Sequence, residues 1–204
     1  MGHSQADKAQ THRRLVRTAA GQFRENGLDG ISLAELMKLL GLTHGGFYKH
    51  FSSRDELVGE AVEYALAEGD QTMRELLFKD GKPDLARFVG TYLSEAHRDS
   101  RSLGCTISAL SADVARRGDE LHAPFRDQIE RNIGMLVEAL EGVPAGQRRS
   151  QALLLLSALY GALSMARATG DSRLSQEILR TVGGKVLELG GAAKKKAHGK
   201  AKAA

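Results

Sequence analysis

LTHGGFYKHF, residues Leu42–Phe51, is the stretch that decides how this chain reads. It follows a short amphipathic run, Ser32 to Leu40, with only Gly41 between them. Two helices joined by a tight turn containing Gly form a helix-turn-helix, whose second helix lies in the DNA major groove. Ser32 and Glu35 make an S-x-x-E capping box for the first helix of the pair. Its Leu33, Leu36, Met37 and Leu40 form an apolar stripe. Thr43 is a good N-cap for the second helix, which is expected to reach Phe51. Upstream, Leu15, Ala19 and Phe23 repeat at helical spacing and predict a helix from about Ala6 to Asn26, stopped by Gly27.

Within the ten residues, Gly45 and Gly46 stand side by side in a predicted helix. Each costs a helix interior about 1 kcal/mol relative to Ala. Two readings account for them: close approach of the backbone to DNA, or a first helical turn that tolerates Gly because its N–H groups have no helical partner. Tyr48, Lys49 and His50 tip the balance toward DNA. Tyr48 offers a hydroxyl to phosphate and a ring to a thymine methyl, while Lys49 and His50 can meet phosphates. Phe47 and Phe51, four residues apart, read as core.

The 204-residue, 22.0 kDa chain has a hydrophobic fraction of 42%, enough for a real core. Pro is scarce, Trp is absent and β-branched runs are nearly missing, which favours an all-helical protein. The net charge of +4 is unevenly spread. Residues 1–54 carry 8 basic and 4 acidic side chains, residues 194–204 carry 5 lysines and no acid, and the stretch between is net acidic. Basic ends on an acidic body suit DNA binding. The N-terminal MGHSQADK has no apolar stretch, so no secretory signal is expected. The longest apolar run, from Ala152 to Ala166, is about 15 residues against the roughly 20 of a membrane span. A single Cys excludes an internal disulfide and fits a reducing cytoplasm.

Beyond the head, Ser53 and Glu56 form a second S-x-x-E pair, opening a long helix from Arg54 to about Leu77. Lys79–Pro83 is a break. Further helices are expected at about Asp84–Arg98, around Ile107–Ala115, at about Asp119–Glu141, Arg148–Thr169 and Leu174–Leu189. The helix from Arg148 is apolar nearly all round, so it must be buried on several sides. No paired carboxylates, metal-spaced Cys/His cluster or P-loop supports an enzyme, GLTHGG is not GxGxxG, and no cofactor or metal is expected.

The segment Ile31–Leu57, ISLAELMKLLGLTHGGFYKHFSSRDEL, resembles the DNA-binding head of TetR-family transcriptional regulators. Ser32, Gly41-Leu42-Thr43, Gly45, Phe47-Tyr48, His50-Phe51, Arg54 and Leu57 carry the resemblance. Two positions depart from the pattern. Met37 stands where a small residue is common, implying different packing in the head. Gly46 stands where a base-reading side chain is frequent, which shifts reading to Thr43, His44 and Tyr48, or to DNA shape.

The resemblance implies an all-α chain of about nine helices. A three-helix helix-turn-helix head would occupy residues 1–53 and a larger ligand-binding and dimerisation body residues 54–191. A disordered Lys-rich tail would occupy 192–204; it either adds salt-sensitive DNA affinity or is a solvated appendage. Thr43, His44, Gly45, Gly46, Tyr48, Lys49 and His50 should face DNA, with Arg54 holding a phosphate at a helix N-terminus. Arg13, Arg14 and Arg17 either add phosphate contacts or form a solvated face. The last two helices should make a homodimer through Leu155, Leu159, Leu163, Ile178, Val182 and Val186. A small-molecule inducer should sit among Phe88, Tyr92, His97, Cys105, Phe125 and Tyr160. The implied function is a cytoplasmic, non-enzymatic, ligand-responsive regulator, a repressor on a palindromic double-stranded operator. The alternative is an oxidant or electrophile sensor acting through Cys105, because Arg98, Arg101 and His97 lie near it in sequence and positive neighbours activate a thiol.

Overall fold

The computed structural model describes residues 5–191, so the expected tail lies outside the described residues. Ten α-helices run through them: α1 Gln5–Asn26, α2 Leu33–Leu39, α3 His44–Phe47, α4 Arg54–Leu77, α5 Leu85–Tyr92, α6 Glu95–Asp99, α7 Thr106–Ala115, α8 His122–Ala139, α9 Arg148–Ala168 and α10 Arg173–Leu189. The all-α expectation holds. The one extra helix comes from a break in the predicted helix Asp84–Arg98 at Leu93–Ser94. There the Ser94 hydroxyl accepts from the His97 amide at 3.1 Å and donates to the Thr91 carbonyl at 2.8 Å. A serine that bonds the local backbone competes with helix continuation. The break expected at Lys79–Pro83 is a two-residue hairpin, β1 Phe78–Lys79 with β2 Lys82–Pro83. Its Asp80-Gly81 turn has both residues at positive φ, the conformation that Asp-Gly hairpins favour.

The chain divides into two compact units. The first comprises the chain up to Gly69 together with Arg101–Arg126. It therefore takes in the front of α4 and all of α7 besides α1–α3. Its core is built from Leu15, Ala19 and Phe23 of α1, Leu36 and Met37 of α2, and Phe47, Phe51, Leu57, Ile107, Leu110 and Val114, all buried. Met37, the departure noted in the sequence, is fully packed here. Gly27 stops α1 at φ +82°, with its amide on the Phe23 carbonyl at 2.8 Å. Gly41 makes the turn after α2 at φ +68°. Both angles lie where L side chains are strained. Arg24 of α1 is buried and tied to the Ser102 carbonyl at 2.7 Å and to Glu68 at 3.1 Å.

The second unit comprises Asp70–Ser100 and the chain from Asp127 onward. Here α9 and α10 form a helical hairpin along which Leu155, Leu156, Leu159, Leu163, Leu179 and Val186 are buried. The segment Ala145–Ala168 is long and apolar enough to cross a membrane by length and composition, more than its uncharged run alone suggested. Seven of the α9 residues are nevertheless buried within the fold, as in the core helix of a helical bundle. Arg98 is buried beside this hairpin, on Asp99 at 2.7 Å, Asp171 at 3.2 Å and the Ser175 hydroxyl at 3.1 Å.

Candidate nucleic-acid interface

The local chemistry of α2 and α3 fixes the candidate surface. Ser32 caps α2 as expected, accepting from the Glu35 amide at 3.2 Å while Glu35 accepts from the Ser32 amide at 2.9 Å. The Ser32 hydroxyl and amide hold the Glu35 carboxyl below its ordinary value. Thr43 caps α3 through the Gly46 amide at 3.3 Å. The helix it opens is shorter than the sequence suggests, His44–Phe47, and Tyr48–His50 continue as turns. Two adjacent glycines supply too little propensity to carry a regular helix further. The Ser53 hydroxyl caps the Glu56 amide at 3.1 Å, but the Glu56 carboxylate reaches back to Ser52, not Ser53, at 2.5 Å from its amide.

The buried side of this stretch is Phe47 and Phe51, stacked with ring centroids 5.4 Å apart. The opposite side is open. Thr43, His44, Gly45, Tyr48 and Lys49 are exposed, while Gly46 and His50 are half-buried. Tyr48 keeps 60% of its surface, its ring edge-on to His44 at 5.7 Å. At Gly45 an added Cβ would meet nothing within 4 Å, and at Gly46 it would make only ordinary contacts. The protein itself thus makes no steric demand for glycine at either position.

His50 is the electrostatic exception. Its Nδ1 is buried without a hydrogen-bond partner. Burial holds the imidazole below its ordinary value, and His12, Lys8 and Lys49 press in the same direction. His12 stacks on Phe51 at 4.5 Å and bonds Glu60 at 2.7 Å. Arg13, Arg14 and Arg17 are exposed along α1.

Arg54 differs from expectation. Its guanidinium turns inward, donating to the carbonyls of Leu28 and Ile31 and to Asp29 at 3.4 Å, and lying 5.8 Å over the Phe23 ring. A phosphate at Arg54 would compete with three acceptors of the head itself. Arg117, which the sequence did not single out, reaches Asp29 and Asp55 from just beyond α7. No local pattern marks it, because its partners lie 88 and 62 residues away.

The other expected sites separate by unit. Phe88, Tyr92, His97 and Tyr160 come together in the second unit, with centroids 5.6 Å between Phe88 and Tyr92, 4.9 Å between Tyr92 and His97, and 6.1 Å between Tyr92 and Tyr160. The Tyr160 hydroxyl accepts from Asn132, which accepts from Gln128, which also donates to Asp70 at 2.8 Å. Gln128 and Asn132 are buried and were missed by the sequence reading. Their spacing from Phe125 and Leu136 on α8 marks them as inward-facing. His97 donates from Nδ1 to the Tyr92 carbonyl at 2.7 Å, and burial lowers its pKa.

Cys105 and Phe125 belong to the first unit. Cys105 is the N-cap of α7, its sulfur 3.5 Å from the Ser108 amide. The arginines expected to activate it are occupied elsewhere, Arg98 as described above and Arg101 on Glu25 at 3.0 Å.

The expected dimer residues lie mostly on the inner faces of α9 and α10. Leu155, Leu159, Leu163 and Val186 are buried within a single chain, and Ile178 and Val182 are half-buried. The same two helices present a different stripe outward: Leu154, Ser157, Gly161 and Met165 on α9, and Leu174, Thr181, Lys185 and Leu189 on α10. A helix apolar on nearly every side gives no signal as to which side faces its own core.

The comparisons agree with this geometry. Residues 15–61, which span α1 to the front of α4, match the family described as "Bacterial regulatory proteins, tetR family". An uncharacterized HTH-type transcriptional regulator of Mycobacterium tuberculosis, Rv0196, is 26% identical over 167 residues, covering 78% of this chain and 84% of that protein. A TetR-family regulator from Cytophaga hutchinsonii has the same fold at TM-score 0.75 and 19% identity, covering 94% of this chain and 98% of its own. The reduced form of Escherichia coli NemR does so at TM-score 0.71 and 24% identity, covering 87% and 95%. At these identities the two structures speak to the fold alone. The motif in the head, the matched family and the all-α architecture lead to one conclusion: residues 15–61 form a DNA-binding head of the TetR-family type, in a chain that has the fold of TetR-family transcriptional regulators.

Proposed function

We propose that the chain is a repressor that binds a two-fold symmetric operator as a homodimer and is released by a small-molecule inducer. The observation that carries the DNA contact is the open face His44–Gly45–Tyr48–Lys49 set over the buried Phe47 and Phe51 pair. Polar donors held outward on a fixed apolar base are what groove reading requires. The glycines fit this role, since no protein atom crowds them and a nearby DNA backbone would. Dimerisation uses the outward stripe of α9 and α10, whose Ser157 and Gly161 permit close helix approach. The inducer is received in the second unit around Phe88, Tyr92, His97 and Tyr160. It must favour a state in which the two heads no longer match the groove spacing, by binding that state more tightly. Such a regulator acts in the cytoplasm, where its operator is.

Lys49 gives the direct test. Because the substitution occurs twice in a homodimer, Lys49→Ala should weaken operator binding by roughly tenfold or more and reduce the slope of log affinity against log salt by about two, the signature of one lost phosphate contact in each chain. The circular dichroism spectrum should not change, because Lys49 is exposed. An unaltered affinity and slope would remove Lys49 from the interface.

A second reading makes Cys105 an oxidant or electrophile sensor. In its favour, the sulfur sits at the positive end of the α7 dipole, on the Ser108 amide. A solved relative in fold, NemR, is described in a reduced form. Cys105→Ser should then abolish release of operator DNA by peroxide or electrophiles; release that persists unchanged assigns the thiol no sensing role.

A further inference from the structure

The helix-turn-helix is fastened at both ends to the C-terminal end of α7 and the residues just beyond it. At its front end, the Leu28 amide donates to Asp113 Oδ2 at 3.2 Å, and Asp29 accepts from Arg117. At its back end, Arg117 Nη1 reaches Asp55 at 3.4 Å. Arg54 ties the two ends to each other through Leu28, Asp29 and Ile31. Asp113 is itself aligned by Arg116 at 2.6 Å, and it packs against Gly27, where a Cβ would stand 3.0 Å from its Oδ2. The Asp113 and Arg117 side chains are largely covered, at 22% and 24% exposure.

We propose that Asp113 and Arg117 are positioning residues for DNA recognition: they hold the two ends of the α2–α3 unit in the register that lets its open face dock, without touching DNA themselves. This rests on the operator-binding reading above. The physical reason is geometric. α3 is one turn long and has little stiffness of its own, so its attitude depends on its buried base, Phe47 and Phe51, and on how residues 27–31 and 54–55 are anchored. Arg117 is the residue that reaches both anchors, and its charge is taken up by two carboxylates. Composition alone would have counted it as another cation for phosphate.

The test compares operator and non-specific duplex binding by the full-length chain, using an operator obtained by selection. Arg117→Ala should lower operator affinity at least tenfold and leave non-specific affinity and its salt slope unchanged, so the ratio of the two falls. Arg117→Lys, which keeps one charge but lacks the fork to hold two carboxylates, should fall between Ala and wild type. Asp113→Asn, which keeps the shape and an acceptor for Leu28, should stay folded by circular dichroism and lose less operator affinity than Arg117→Ala. A salt slope reduced by about two, one contact from each chain, would mean that Arg117 contacts phosphate, and operator and non-specific affinities falling together would mean a merely structural role. Either result overturns the proposal, as does unchanged operator affinity. If the wild-type chain itself prefers no duplex, the operator reading fails as well, which separates the two failures.

Discussion

Replacing Phe47 with Ala should destabilise the first unit by about 3–5 kcal/mol and abolish operator binding near physiological temperature. Phe47 has no exposed surface, stacks on Phe51 and meets the Tyr48 ring edge-on at 5.2 Å. Truncating a buried aromatic to Ala removes its transfer free energy and leaves a cavity, and aromatic losses of this kind fall in about the range given. A domain of this size is stable by only about 5–15 kcal/mol, so the loss is a large share of the total. The effect on DNA follows from position, since Phe47 lies one residue before Tyr48 and two before Lys49. A calorimetric unfolding midpoint checks the first part and operator titration the second. A loss under about 1 kcal/mol would mean that the stretch is not anchored as described.

The second large effect belongs to the outward stripe of α9. Leu154→Glu together with Met165→Glu should leave the single chain folded and turn the protein monomeric. Leu154 and Met165 are 53% and 59% exposed in one chain, so the isolated fold should tolerate the change within about 0.5 kcal/mol. In a two-fold dimer each substitution occurs twice, and an unpaired charge buried at the interface costs several kcal/mol. The dimer dissociation constant should therefore rise by about a thousandfold or more. Operator affinity should fall by at least about a hundredfold, because both heads no longer bind as one unit. Sedimentation equilibrium measures the assembly. A double variant that still sediments as a dimer would place the interface elsewhere.

These two residue sets also mark where sequence was informative. Phe47 and Phe51 sit four apart beside polar neighbours, so their inward direction follows from helical geometry, and both are buried. The capping of α2 by Ser32 and of α3 by Thr43 was legible because capping is local chemistry, satisfied within three residues. α9 is the opposite case. With leucine at four successive positions, 153–156, periodicity cannot separate the face turned to the chain's own core from the face left outside. The residues named from sequence for the dimer therefore lie mostly on the inner side of α9 and α10.

The charged positions show a second limit. Arg54 matches the family pattern in type and position, yet its guanidinium is engaged with carbonyls of the α1–α2 loop. A pattern of residue types does not say where a long side chain points. Arg117 and Asp113 were invisible for a related reason, since the ends they hold lie more than 55 residues away in the chain. Gln128 and Asn132 carry no apolar signal of burial, although their place on α8 between Phe125 and Leu136 puts them on the buried face.

The proposed repressor reads double-stranded DNA with a short glycine-containing helix present once in each of two chains. Selection of bound sequences from a random duplex pool by the purified full-length protein tests it most directly. The expected product is a two-fold symmetric consensus whose half-sites are centred about one helical turn apart, roughly 10 base pairs, or a multiple of it. Recovery of no consensus, or of a single unrepeated half-site bound by one chain, would contradict it.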